Sequence, residues 1–174
     1  MRNNALSVAN YFLELAKEEG LQFTQLGLMK RVYIAHGFSL AIHDVSLLDP
    51  RFDKVEAWRY GPVIPSVYHS FKQYKASPIT EKTFVMEWDA VAQEPTFHTP
   101  ELHDDNAKEI VKMVLKRYKG MNDSEMVSLT HHAGSPWAVC YIAGRNKEIP
   151  DEVTKLYYSK IVERVNARKQ DATA

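Results

Sequence analysis

One stretch is apolar around most of its circumference. From Thr24, a plausible N-cap, to about Ile42, the residues Val32, Tyr33, Ile34, Ala35, Phe38, Leu40, Ala41 and Ile42 leave little polar face. A short helix of this kind must be buried on several sides, so it is expected to be the central element. Gly37 within it costs about 1 kcal/mol relative to Ala in isolation. A close helix crossing at that position is the simplest compensation.

A second constraint is Glu56-Ala57-Trp58-Arg59-Tyr60-Gly61-Pro62-Val63-Ile64-Pro65. An extended run over Phe52–Tyr60 meets a Gly-Pro break and then an apolar stripe of Val63, Ile64, Val67, Tyr68, Phe71 and Tyr74. The spacing predicts a helix to about Lys75 with Pro62 in its first turn. Pro65 must share that turn, because deeper in the helix it would cost about 3 kcal/mol. Trp58, Gly61 and Pro62 are assigned to the scaffold of this corner.

The remaining chain reads mostly as helix. Ala5, Val8, Ala9, Phe12, Leu13 and Ala16 give a helix over 5–19 that Gly20 ends. The region from Ser77 to Leu102 is irregular, punctuated by Pro78, Pro95 and Pro100. Within it, Thr83–Trp88 favours a strand, expected to pair with 52–58. Asp104 or Asp105 caps a helix stopped by Gly120, Asp123 caps a shorter one, and Ser135-Pro136-Trp137 opens another. A last helix runs from about Pro150 to Arg168, with Val153, Leu156, Tyr157, Ile161, Val162 and Val165 on one face. A frayed tail is expected over 169–174.

The 174 residues fit one domain, 5–168, with no linker long enough to divide it. The expected class is α+β, predominantly α. It is a compact bundle of six to seven helices around the buried helix at 24–42, with a small β element near 52–58 and 83–88.

Charge and motifs narrow the function. Lys plus Arg and Asp plus Glu number 22 each, so no basic field supports direct nucleic-acid binding. The single cysteine, Cys140, has apolar flanks and reads as an inert thiol in a reducing cytoplasm. No secretory leader is visible, and no window approaches the roughly 20 apolar residues of a membrane span, so a cytoplasmic location is expected. P-loop, dinucleotide, nucleophile-elbow and zincin motifs are all missing.

Histidine invites a metal or hydrolase reading, which spacing weakens. His131 and His132 are adjacent and point to different helix faces, with no ligand four residues on from either. His98 and His103 flank Pro100 and need help from elsewhere to chelate. A Ser135 nucleophile paired with His131 or His132 competes with the plainer role of Ser135 as a cap. Accordingly no catalytic residue, metal site or cofactor is expected, and a His- or metal-dependent hydrolase is the weakest alternative. The lysines at 108, 112, 116 and 119 read as a solvated stripe, or else as a docking strip for an acidic partner. Aromatics cluster near the corner, and Arg59, Tyr60 and Tyr68 are its candidates for touching a partner.

Three blocks together resemble a known family. They are Leu28-Met29-Lys30-Arg31-Val32-Tyr33-Ile34-Ala35-His36-Gly37, then Ala57-Trp58-Arg59-Tyr60-Gly61-Pro62-Val63, then Leu129-Thr130-His131 with Ser135-Pro136-Trp137. These resemble the Panacea domain, also called the SocA-like antitoxin domain, of bacteria and prophages. The Ala-Trp-x-x-Gly-Pro-Val block is the most specific of them. The matching signature residues are Lys30, Tyr33, Gly37, Trp58, Gly61, Pro62, His131, Pro136 and Trp137. Arg31 stands where the family usually has Leu, which places a charge beside the packing face of the central helix. The resemblance implies a non-enzymatic antitoxin that binds a cognate protein toxin. In the SocA branch it implies an adaptor that delivers the toxin to a host protease.

Overall fold

Thr24 caps the helix that the other elements surround. Its hydroxyl accepts the Gly27 N–H at 3.2 Å and donates to Asp123 at 2.6 Å. The computed structural model describes residues 4–172; the leading three residues and the last two of the expected tail lie outside it. Within that range α1 spans Ala5–Glu18 and α2 spans Gln25–His43, with every residue from Gly27 to Leu40 buried. β1 (Glu56–Trp58) and β2 (Gly61–Val63) form a hairpin, followed by α3 (Pro65–Phe71) and a 3-10 turn over Lys72–Tyr74. β3 (Val85–Asp89) and β4 (Glu94–His98) form a second hairpin. α4 (Asp105–Tyr118), α5 (Asp123–His131), α6 (Pro136–Cys140), β5 (Lys147–Glu148) and α7 (Asp151–Asp171) complete the chain. The fold is α+β, predominantly α, with seven helices among the described residues.

Helices α1, α4, α5 and α7 all pack on α2, which is why its sequence lacks a polar face. The crossing expected at Gly37 is there: a Cβ on Gly37 would lie 2.3 Å from the Tyr158 ring of α7. His36 ties the same pair of helices. Its Nδ1 accepts the Leu47 N–H at 3.4 Å, which leaves Nε2–H to donate to Asp151 at 3.0 Å. That hydrogen bond lowers the Asp151 carboxyl below its ordinary range.

Asp53, which the sequence does not single out, joins three segments. It accepts the N–H groups of Ala5 at 2.9 Å and Asp49 at 3.0 Å, and the Ser66 hydroxyl at 2.6 Å. One buried side chain thus accepts three hydrogen bonds and fixes the start of α1 against the start of α3.

Several expectations are corrected. Pro62 lies in a strand opposite Ala57 and not in the first turn of the helix, which Pro65 alone occupies, at N1. That helix ends at Phe71, short of Lys75. The strand at 85–89 pairs with 94–98, whereas β1 pairs with β2 and β5. Asn122, not Asp123, caps α5, in a reciprocal bond with Glu125. α7 continues through Asp171, so residues 169–171 are helical, and Leu156 on it faces solvent while Thr154 and Tyr158 carry the buried face. No helix among the described residues is long and apolar enough to cross a membrane.

Candidate functional site

The β1–β2 hairpin is held from three sides. Arg59 and Tyr60 form its tip, between the paired residues Trp58 and Gly61. Gly61 carries a φ of 100°, outside the comfortable range of residues with a Cβ. Space demands glycine as well, since a Cβ there would sit 2.8 Å from Lys30 Nζ and 3.4 Å from Thr130 Oγ1.

From α2, the Lys30 ammonium donates to the Pro62 carbonyl at 2.8 Å. From α5, His131 Nε2–H donates to the Arg59 carbonyl at 3.1 Å. From α6, Trp137 Nε1–H donates to the Trp58 carbonyl at 2.7 Å. The His131 ring stacks on Trp137 at 3.5 Å, so two of the anchors brace each other. All three acceptors are main-chain oxygens, and the donors lie 32, 72 and 79 residues away in sequence.

The charge at Lys30 is unusual. Its side chain is buried, and burial lowers its pKa to about 7. Trp58 is half-buried; its indole donates to the buried Glu56 carboxylate at 2.7 Å and its ring lies 5.0 Å from that of Tyr68. Glu56 also pairs with Lys54 at 2.8 Å.

The sequence signature thus divides in space. Lys30, Trp58, Gly61, Pro62, His131 and Trp137 converge on the hairpin, with Pro136 buried at the first position of α6. Tyr33 and Gly37 face α7, the Tyr33 ring lying edge-on to Tyr158 at 6.1 Å. Of the proposed partner contacts, Arg59 and Tyr60 are exposed, Tyr60 by 63%, with the guanidinium 5.4 Å from the ring centroid. Tyr68 is half-buried against Trp58 and His69.

Arg31 lies in the interior. Its guanidinium donates to the carbonyls of Gly27, Tyr118 and Met121 at 2.9–3.0 Å and lies 4.3 Å from the Phe23 ring centroid. It thereby covers the carboxyl end of α4, where carbonyls lack helical partners and the dipole favours a cation. Burial lowers its pKa to about 10, partly offset by the nearby Asp123. The charge that the sequence places at the packing face serves the scaffold there.

The groups suspected of chemistry have other duties. Ser135 accepts the Ala138 N–H at 3.2 Å as a helix cap. The His132 ring is 3.1 Å from the Tyr157 hydroxyl through Nε2, well apart in role from His131. Burial raises the Cys140 thiol, which favours the unreactive protonated form. Among the described residues, no group of three His, Cys, Asp or Glu side chains is placed to hold a metal ion.

Comparison with known proteins bears on this arrangement. The family model "Antitoxin SocA-like, Panacea domain" matches residues 28–138, a span that contains every anchor of the hairpin and the hairpin itself. The chain belongs to this family. The Antitoxin SocA of Caulobacter vibrioides (strain NA1000 / CB15N) is 29% identical over 140 residues, covering 78% of this chain and 69% of that protein. No solved structure matches. In this Panacea domain the three sequence blocks are contiguous in space. The whole of α7, which receives Tyr33 and Gly37, lies beyond the matched span.

Proposed function

We propose that this Panacea domain is the antitoxin of a bacterial or prophage type II toxin–antitoxin system. It neutralises a protein toxin by direct binding, without turnover. Family membership and the antitoxin relative support the role. The observation that carries the binding mode is the hairpin tip. Three side chains fix its main chain, while Arg59 and Tyr60 project to solvent from a pre-organised turn. Arg and Tyr are residue types enriched at binding hot spots, and pre-organisation lowers the entropy cost of binding.

The test is genetic. A neighbouring open reading frame should be toxic when expressed alone and harmless when co-expressed with this chain. Absence of any such neighbour rejects the reading. Measuring the toxin's half-life in the same cells separates occlusion, which leaves it unchanged, from delivery to a host protease, which shortens it.

A further inference from the structure

The β3–β4 hairpin projects from the helical body. Its strands make their extensive contacts with each other and with no other element, and all five residues of β4 are exposed. Its root is nevertheless fixed. Asn10 of α1, itself buried, donates to the carbonyls of Thr83 and Pro100 at 3.0 Å and accepts the Thr83 N–H at 2.9 Å, so one amide holds both feet. At the far end Asp89 accepts the N–H groups of Val91 and Ala92 at 2.8 and 3.0 Å. The result is an ordered arm.

Side chains alternate along a strand, and directly opposed residues share a face. The pairing of Met86 with Phe97 and Trp88 with Pro95 therefore puts four apolar residues on one face. Phe84 extends that face, its ring edge-on to Phe97 at 5.8 Å. Met86, Trp88 and Phe97 are 61–66% exposed. The opposite face carries Glu87, Asp89 and Glu94. Across residues 83–107 the chain has six carboxylates and no Lys or Arg, although the whole chain is balanced at 22 of each sign.

A two-stranded ribbon with nothing packed on its apolar face is marginally stable in water, and an open apolar strand edge invites association. A covering surface is therefore missing from the isolated chain. The charge of that surface is constrained as well: Glu87, Asp89 and Glu94 line the reverse of the thin ribbon, and their local negative field favours a partner whose apolar patch is rimmed by Lys or Arg. We propose that the β3–β4 ribbon is the docking arm for the toxin, and that the toxin presents an apolar patch flanked by basic residues. This rests on the antitoxin reading above and adds a surface to it. The chain itself has an apolar groove with Lys116 and Arg117 beside Phe38, Ile42 and Met113. Ribbon-into-groove contact between copies would be head-to-tail and would cover every ribbon only if a ring closed, whereas a distinct partner covers each ribbon without that condition.

The test uses the full chain and the toxic product of its neighbouring reading frame. One variant combines Met86→Ser with Trp88→Ser; a second combines Glu87→Lys with Glu94→Lys. Both should keep the wild-type circular dichroism and melting temperature, because the ribbon lies off the core. The first should lose growth rescue and bind the purified toxin about 30-fold or more weaker, as truncation of a central aromatic does. The second should weaken binding about tenfold at low salt, and the deficit should shrink at high salt. If wild type and both variants rescue and bind alike, the ribbon is not the dock, while the antitoxin reading stands. If wild type itself rescues no neighbour, that reading falls and the ribbon's proposed occupant falls with it. If light scattering shows a wild-type oligomer that the first variant converts to monomer with rescue retained, the occupant is a second copy and the proposal is overturned.

Discussion

Lys30 Nζ donates to the Pro62 carbonyl at 2.8 Å from a side chain with no exposed surface. The bond joins the central helix to the hairpin, and it places an ionisable group where its charged form is disfavoured. A lysine with a lowered folded-state pKa makes stability depend on pH in a definite direction. Between about 7 in the folded chain and 10.5 in the unfolded one, the unfolded state binds the extra proton. Stability should rise across that window, by a few kcal/mol at most, and the penalty should be complete below it. Burial raises the pKa of Tyr33 and Tyr158, which has the opposite sign and removes stability above about pH 10. Denaturation midpoints from pH 6.5 to 10 should climb in wild type; a Lys30→Met variant should lose the climb.

Trp137→Phe tests the anchor from α6. Phe retains a ring to stack on His131 but leaves the Trp58 carbonyl without its indole donor. The expected loss is about 1–2 kcal/mol in urea unfolding. An unchanged midpoint would mean that the hairpin stays in place without this bond.

Gly37→Ala should be costly despite the better helix propensity of alanine. The added methyl would meet the Tyr158 ring at 2.3 Å, so α2 and α7 must separate. Propensity favours the change by about 1 kcal/mol and overpacking opposes it by about 1–3 kcal/mol. Thermal melting should show net destabilisation, relieved in part by a second change, Tyr158→Leu.

How much of this is legible in the sequence depends on which atoms an interaction uses. Thr24, Asp104 and Ser135 are caps whose partners lie within three residues, and each does what local chemistry predicts. Gly37 is legible too, because a glycine inside an all-apolar helix costs propensity that only a close neighbour offsets. The strand partners are not. Val85–Asp89 has the composition of a strand, but register is decided by a turn at Asp89–Gln93 that carries no Asn-Gly or Asp-Gly signal. Pro62 misleads because proline suits both a first helical turn and a strand position that donates no bond. The clamp itself is invisible: Lys30, His131 and Trp137 reach backbone oxygens of distant residues, and a carbonyl leaves no mark in the residue type that bears it. Only the family signature points to those three side chains together.

Arg31→Leu removes the cation from the packing face of the central helix. Here it should destabilise, because the Met121 carbonyl loses its guanidinium donor and the Tyr118 carbonyl keeps only the Met121 N–H at the end of α4. A cost of about 2–4 kcal/mol is expected, set by unpaired buried acceptors rather than by lost volume. Hydrogen exchange should show the last turn of α4 opening first.

Tyr60→Ala should leave the melting temperature unchanged and weaken toxin neutralisation, since the ring is exposed and bears on no anchor. Trp58→Ala should do the reverse in part, destabilising by about 2–4 kcal/mol through lost packing on Tyr68 and a Glu56 carboxylate left with Lys54 as its remaining partner. Growth rescue and calorimetry on the two variants separate the effects.

A grip on main-chain oxygens is indifferent to which amino acids carry them. Positions 59 and 60 can therefore exchange side chains, generation after generation, without loosening what holds the turn. On the proposed reading, changes of partner and changes of foldedness then fall on different residues. A new partner would be met by rewriting a tip, with the grip on that tip left alone.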